Sequence, residues 1–261
     1  MVKTKEEIEI MREGGKRLAF VLDEVVKLVK PGVDAKELND LAEKLIKKGG
    51  DIPAFLNYKP QGSIRPYSKD DSYPATLCVS VNNEVVHGIP NWDKKILKEG
   101  DIVGLDCGLK HKGLIVDAGL TVGVGKISKE DQKLIDVTEG ALKAGIKVAR
   151  AGNTVGDIGH AIEQFVKPHG YGIVYELVGH GVGCELSEPP EVPNFGEKGE
   201  GPELKAGMTL AIEPIINKGS GKVFLDEDGH TYKTADGQRG AYSENTILIT
   251  EGDAEVLTKG E

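Results

Sequence analysis

Leu97-Lys98-Glu99-Gly100 leads into Ile102-Val103-Gly104-Leu105-Asp106, and Leu204-Lys205-Ala206-Gly207 leads into Thr209-Leu210-Ala211-Ile212-Glu213. Both stretches read L-K-x-G, then five residues, then an acid at the tenth position. Working outward, a His-Gly pair precedes each: His87-Gly88 in one case and His180-Gly181 in the other. Farther upstream, each has a helical segment, a glycine (Gly32 or Gly152) and a second helical segment. The same elements thus occur twice in the same order. This predicts an α+β fold built by duplication, with pseudo-two-fold halves at about 1–125 and 126–261. The repeated acids are expected to face each other across the axis. Two units of this length do not make a solenoid.

Local signals fill in the elements. Thr4 to Glu7 reads T-x-x-E, a capping box that starts a helix expected to run to about Lys30, where Pro31-Gly32 stops it. Its apolar residues, among them Met11, Leu18, Leu22 and Val25, recur near helical spacing. A second helix is expected over 35–48, and two more over about 129–150 and 154–168. Strands are expected at 76–81 and 84–86 around Asn82-Asn83, and at 102–107, 114–124, 208–217 and 245–250. The polar run Pro60 to Asp71 reads as a surface loop.

Four acids stand in apolar strand contexts: Asp106, Asp117, Glu213 and Glu244. If the turn after Asp106 centres between His111 and Lys112, Asp106 and Asp117 are directly opposed on a hairpin. Opposed side chains have Cβ atoms about 4.5–5.5 Å apart, so two carboxylates there repel unless a cation lies between them. Aspartates near a turn are commonly only solvated, but a buried carboxylate is costly unless it is paired or bound to metal. His180, in what reads as a glycine-rich turn, adds an imidazole. Four carboxylates carry −4, which two divalent ions balance. Oxygen ligands with one imidazole suit Mn, Fe(II) or Co, with zinc also possible.

Composition narrows the classes. The 261 residues allow one or two domains at about 150 each. A net charge of −9 argues against direct nucleic-acid binding by general attraction. Thirty-five residues are glycine, about twice the usual share, which reads as many tight turns. Cys78, Cys107 and Cys184 form no C-x-x-C pair, so neither a disulfide framework nor a thiolate zinc site is expected. The charged start of the chain and the lack of a long apolar run predict a soluble, cytoplasmic protein with no membrane association.

These residues resemble the shorter, type I methionine aminopeptidases. The resemblance runs from about Thr4 to Leu257 and rests on Ser80-Val81-Asn82-Asn83-Glu84-Val85-Val86-His87-Gly88-Ile89-Pro90, Gly179-His180-Gly181-Val182-Gly183, Lys205-Ala206-Gly207-Met208-Thr209, Ile212-Glu213-Pro214 and Tyr242-Ser243-Glu244-Asn245-Thr246. It implies the pita-bread fold, with a central antiparallel sheet, helices outside, and 1–261 as a single catalytic domain. It also implies a ligand set of Asp106, Asp117, His180, Glu213 and Glu244 for two divalent metal ions. His87 matches a catalytic, substrate-contacting histidine, and Tyr73 and Cys78 match residues lining the methionine pocket. The chain departs from the family pattern in three places. Ser187 stands where a second histidine is usual, 60–71 is longer than the usual connection, and His230 replaces a frequent tryptophan.

The activity implied is metal-dependent removal of N-terminal methionine ahead of a small second residue. A metal-bridged water would attack the first peptide bond, with Glu213 as proton shuttle. Partners would be nascent polypeptide N-termini, with transient ribosome contact, and the chain would act as a monomer. Two competitors share the fold: a related Xaa-Pro-directed peptidase, which usually carries an extra N-terminal domain, and a non-catalytic protein-binding member, which Ser187 favours. Elsewhere, His111 is expected at an exposed turn, and His160 and His169 without a role. Cys107 is expected on the face opposite Asp106, Cys184 as a small buried residue, and Asp136, Glu139 and Lys143 on a solvated helix face.

Overall fold

The computed structural model describes residues 1–59 and 72–260, so the expected loop at 60–71 lies outside the described residues. The first half contains α1 (Lys5–Leu28), α2 (Ala35–Lys48), β1 (Ile52–Pro53), β2 (Leu77–Val81), β3 (Glu84–Val86), β4 (Ile102–His111) and β5 (Leu114–Gly123). The second opens with α3 (Lys129–Val148), α4 (Val155–Val166), a 3-10 turn (Lys167–His169), β6 (Gly172–Ile173), β7 (Gly179–Gly181) and β8 (Glu188–Val192). It continues through β9 (Thr209–Ile212), β10 (Ile215–Asn217), β11 (Val223–Leu225), β12 (Tyr232–Thr234), β13 (Gly240–Tyr242), β14 (Glu244–Leu248) and β15 (Glu255–Val256). None of the described helices is long and apolar enough to cross a membrane.

The helix starts follow from their capping chemistry. Thr4 and Glu7 form the expected capping box on α1. Asp34 with Glu37 and Thr154 with Asp157 form the same device on α2 and α4, and Ser128 caps α3. Each such cap contributes about 1 kcal/mol by satisfying amide groups the helix leaves unpaired. The second helix spans the expected 35–48, whereas α1, α3 and α4 each end two residues short of the expected limits.

The duplication is visible in backbone hydrogen bonds. Gly32 N donates to Leu97 O at 2.8 Å, and Gly152 N donates to Leu204 O at 3.0 Å. Gly100 N donates to Val124 O and Gly207 N to Ile249 O, both at 2.9 Å. Each L-K-x-G segment therefore ties the helix–helix connection of its own half to the sheet. Matching short bridges, Asp34 with Ile96 and Thr154 with Glu203, reinforce the two ties.

A nine-stranded antiparallel sheet runs through both halves in the order β1-β4-β5-β14-β9-β7-β8, with β2 on β4 and β15 on β14. The pseudo-two-fold axis passes between β5 and β14. Alternation along the strands sends Leu105, Cys107, Leu109 and Val116 into a core with α1 and α2. It sends Leu210, Ile212 and Ile247 into a second core with α3 and α4. The helices thus cover one face of the sheet. Cys107, buried in the first core, lies on the face opposite Asp106 as expected.

Three details differ from the sequence reading. The hairpin turn centres on Lys112-Gly113, both left-handed at φ +46° and +93°, the geometry of a two-residue turn that matches strand twist. Asp106 consequently pairs with Gly119 and Asp117 with Gly108, so the two acids are diagonal rather than opposed. The shift of two residues keeps them on one face. His111 is buried rather than exposed: Nδ1 lies 2.6 Å from Asp51 Oδ1 and Nε2 lies 3.1 Å from Glu13 Oε2. This cluster clamps α1 to the hairpin. The expected strand at 208–217 is interrupted at Glu213-Pro214, after which the chain leaves the large sheet for a three-stranded one, β13-β10-β6. Proline has no N–H to continue a ladder, which gives the break its local cause. A further sheet, β11-β12-β3, takes strands from both halves.

Candidate metal centre and active site

The free face of the large sheet carries the acids, and register alone places them together. Asp106 pairs with Gly119, and Gly119 with Glu244, so these residues form one row across β4, β5 and β14. Asn245 pairs with Ile212, which sets Glu213, the next residue, abreast of Glu244. Two positions along, Thr246 pairs with Ala211 and Ala211 with His180, a second row on the same face. Asp117 joins it beside Thr246: Asp117 N donates to Thr246 Oγ1 at 2.9 Å, and Thr246 Oγ1 donates to Asp117 O at 2.7 Å.

All five expected ligand residues therefore project from one face within two adjacent rows. Ligand atoms of Asp117, His180 and Glu244 lie within 4.8 Å of one another. His180 Nε2 is 3.5 Å from Glu213 Oε1. His180 occupies a strand, not a turn. Its flanking glycines serve close approach: a Cβ on Gly179 would come 2.4 Å from Ala211 O, and one on Gly181 2.5 Å from Pro189 O. His180 Nδ1 lies 2.9 Å from Gly181 O, and a hydrogen bond there leaves Nε2 to face the acids.

Electrostatically the cluster is strained as it stands. Burial, followed by hydrogen bonds from neighbours that work the other way, leaves the Asp106 carboxyl pushed up to about 7. Burial and then the neighbouring carboxylates push Asp117 and Glu244 well above the ordinary range, and burial with Asp106 does the same to Glu213. Among the described residues, Asp106 Oδ1 and Asp117 Oδ1 are buried without a hydrogen-bond partner. Unpaired buried carboxylate oxygens cost several kcal/mol each unless a cation compensates them. Four carboxylates and one imidazole on one face form a donor set suited to divalent ions. The residues fit a metal centre.

The centre lies in a cavity of about 310 Å³. Tyr73, Cys78, His87, Ser187 and His230, all singled out from the sequence, line it together with Asp106, Asp117, His180, Glu213 and Glu244. Cys78 pairs directly with Asp106 across β2 and β4. Tyr73 donates to Gly88 O at 2.9 Å, and its ring meets His230 edge-on at 5.5 Å. His87 has the left-handed φ of +58°, uncommon for a residue with a side chain. Thr231 Oγ1 donates to the His87 carbonyl at 3.3 Å, and the Tyr232 ring lies 6.0 Å from the imidazole. Burial, then His230 and His180, lowers the His87 pKa to about 4, so its ring is neutral near pH 7.

Other cavity residues were not legible as site residues. Phe55, Leu177, Val178 and Ile215 line it, but in the sequence they read as ordinary apolar positions. Lys3 is buried in an ion pair with Glu188, the neighbour of Ser187, and so anchors that segment to the start of the chain. The Tyr242 hydroxyl donates to Glu244 Oε2, and Tyr242 was visible only as part of the motif that carries Glu244. Cys184 is half-buried against the first core. His160 and His169 lie outside the cavity, in contact with Gly196 O and with the rings of Phe165 and Tyr171 respectively.

Comparison with known proteins agrees with this geometry. The model of metallopeptidase family M24 matches residues 9–251. Methionine aminopeptidase 1 of Bacillus subtilis is 43% identical over 257 residues, covering 98% of each chain. The crystal structure of methionine aminopeptidase from Thermotoga maritima superposes with a TM-score of 0.92 at 43% identity, covering 99% of each chain. Prolidase from Pyrococcus furiosus shares the fold at a TM-score of 0.77 and 25% identity, and this chain spans 66% of it.

Proposed function

This chain belongs to metallopeptidase family M24 and, within it, to the type I methionine aminopeptidases, and on that premise we propose that the two acid-bearing rows carry its metal-dependent excision of N-terminal methionine. The observation that supports this most is the pair of buried oxygens, Asp106 Oδ1 and Asp117 Oδ1, that find no hydrogen-bond partner among the described residues, beside the Asp117, His180 and Glu244 cluster. Asp106, Asp117, His180, Glu213 and Glu244 would hold two divalent ions, of Mn, Fe(II), Co or Zn type. When bound, such ions polarise the peptide carbonyl and lower the pKa of water.

The protein's own groups do the rest. Glu213 takes a proton from the attacking water and passes it to the amide nitrogen as the C–N bond breaks. Its position where the strand leaves the sheet turns its carboxylate toward the cavity. His87, neutral at working pH, holds the scissile amide by a hydrogen bond. Tyr73 and Cys78, with Phe55 and His230, enclose the methionine side chain; its flexible thioether suits a cavity walled by aromatic edges. Ser187 offers a hydroxyl where the family resemblance implies an imidazole, with shorter reach and no titration near neutrality. The substrates are peptides and nascent chains, met in the cytoplasm.

A panel of short peptides tests this reading. Met-Ala-Ser should release methionine, Met-Leu-Ser should release little, and Ala-Pro dipeptide should stay intact. Glu213→Ala should abolish release. Preferential cleavage of Ala-Pro would favour the Xaa-Pro reading, and no release from any peptide by folded, metal-supplied protein would favour a binding role.

A further inference from the structure

Gly119 lies in the row between Asp106 and Glu244 and brings no side chain to it. The space above it is filled from outside the large sheet. A Cβ on Gly119 would lie 2.2, 2.4 and 2.6 Å from Cε1, the hydroxyl oxygen and Cζ of Tyr242. Tyr242 belongs to β13, in the small sheet, and is 2% exposed. Its hydroxyl donates to Glu244 Oε2 and faces the Asp106 carboxyl. Thr121, two residues beyond Gly119 on the same face of β5, fixes the tyrosine backbone from both sides: Tyr242 N donates to Thr121 Oγ1 at 2.9 Å, and Thr121 Oγ1 donates to Tyr242 O at 2.8 Å. Along β5, alternate residues thus supply an acid (Asp117), a gap (Gly119) and an anchor (Thr121).

The ring fills most of this volume, as a phenylalanine would, so packing alone does not explain the hydroxyl. A buried phenol needs a partner, and this one meets the metal-facing carboxylates. We infer that Tyr242 is a positioning residue of the metal centre: through its hydroxyl, seated over Gly119, it orients the Glu244 carboxylate and fixes its spacing from Asp106. The inference rests on the metal-centre reading above. A hydrogen bond to one carboxylate oxygen leaves the other to face an ion, and partners of this kind commonly tune affinity about 10–100-fold.

The test uses metal-stripped full-length protein titrated with Co(II), reading both the dissociation constant and the visible ligand-field spectrum. Tyr242→Phe keeps the ring and removes the hydroxyl. It should weaken Co(II) binding about 10–100-fold and alter the band pattern. Thr121→Val, which removes both backbone anchors, should shift both readouts in the same direction and keeps the test open should the first variant fold poorly. Unchanged affinity and spectrum in a folded Tyr242→Phe or Thr121→Val, while wild type binds, would overturn the role of Tyr242 alone. Wild-type protein that takes up no Co(II) would overturn the metal reading and this inference with it. A phenolate-to-cobalt charge-transfer band lost in Tyr242→Phe would show direct ligation and so overturn a positioning role.

Discussion

Glu213 and Ser187 are the residues at which the account can be tested most finely. Glu213→Gln keeps shape but removes the shuttle, so kcat should fall about 10²–10⁴-fold while the protein remains folded. A loss below tenfold would assign the proton transfer elsewhere. Loss of one transition-state donor typically costs about 10²–10³ in kcat, so Ser187→His should raise kcat by at least about tenfold. No gain would mean another cavity group already fills that role. At this scale the five metal-type residues were legible because each stands in an apolar strand or a distinctive motif. His111 was misread as exposed because its partners, Asp51 and Glu13, are far away in sequence and no local pattern announces them. The contact between Tyr242 and Glu244 was missed for a related reason: it depends on the empty space over Gly119, which only the pairing of β5 with β14 creates.

Elements bring these residues to one face. The repeated L-K-x-G signature was readable because it performs the same task twice, tying the helix–helix connections to the sheet through Leu97 and Leu204. The capping boxes made the helix starts readable. The register of the β4–β5 hairpin was not, since Lys112-Gly113 carries no asparagine or aspartate to mark a left-handed turn, yet both residues adopt one. Gly113→Val places a β-branched side chain at φ +93°. It should cost about 1–2 kcal/mol and lower Tm by about 2–8 °C. An unchanged Tm would mean that the hairpin closes differently. The break at Glu213-Pro214 also escaped the sequence reading, because Leu210 to Ile216 is apolar on both sides of it. The resulting change of sheet sets Glu213 at the edge of the cavity.

The whole molecule balances a buried acidic cluster against the metal it is built to hold. Without metal, the folded state keeps protons on carboxyls whose pKa burial has raised, Asp106 to about 7 and Asp117, Glu213 and Glu244 well above the usual carboxylate range, while the unfolded chain has lost them above about pH 4. Stability should therefore fall as pH rises. The lowered His87 and His180 oppose this only below about pH 6.5, so the window above it is the informative one. Metal-stripped protein should lose Tm between about pH 6.5 and 8, and added Mn(II) should raise Tm more at pH 8 than at pH 6.5, because metal displaces those protons. A metal-free Tm that rises over this range would contradict the cluster's burial. The duplicated architecture was legible from the order of the elements, whereas the sharing of β3 with β11 and β12 across the halves was not, because it is a long-range pairing without a local signal. The most direct single measurement is a titration of chelator-stripped protein with Mn(II), following bound metal per chain and methionine released from Met-Ala-Ser together. Release that is absent without metal and rises with occupancy toward two ions per chain is the predicted result; full release in the presence of chelator, or none from metal-loaded folded protein, would contradict the account.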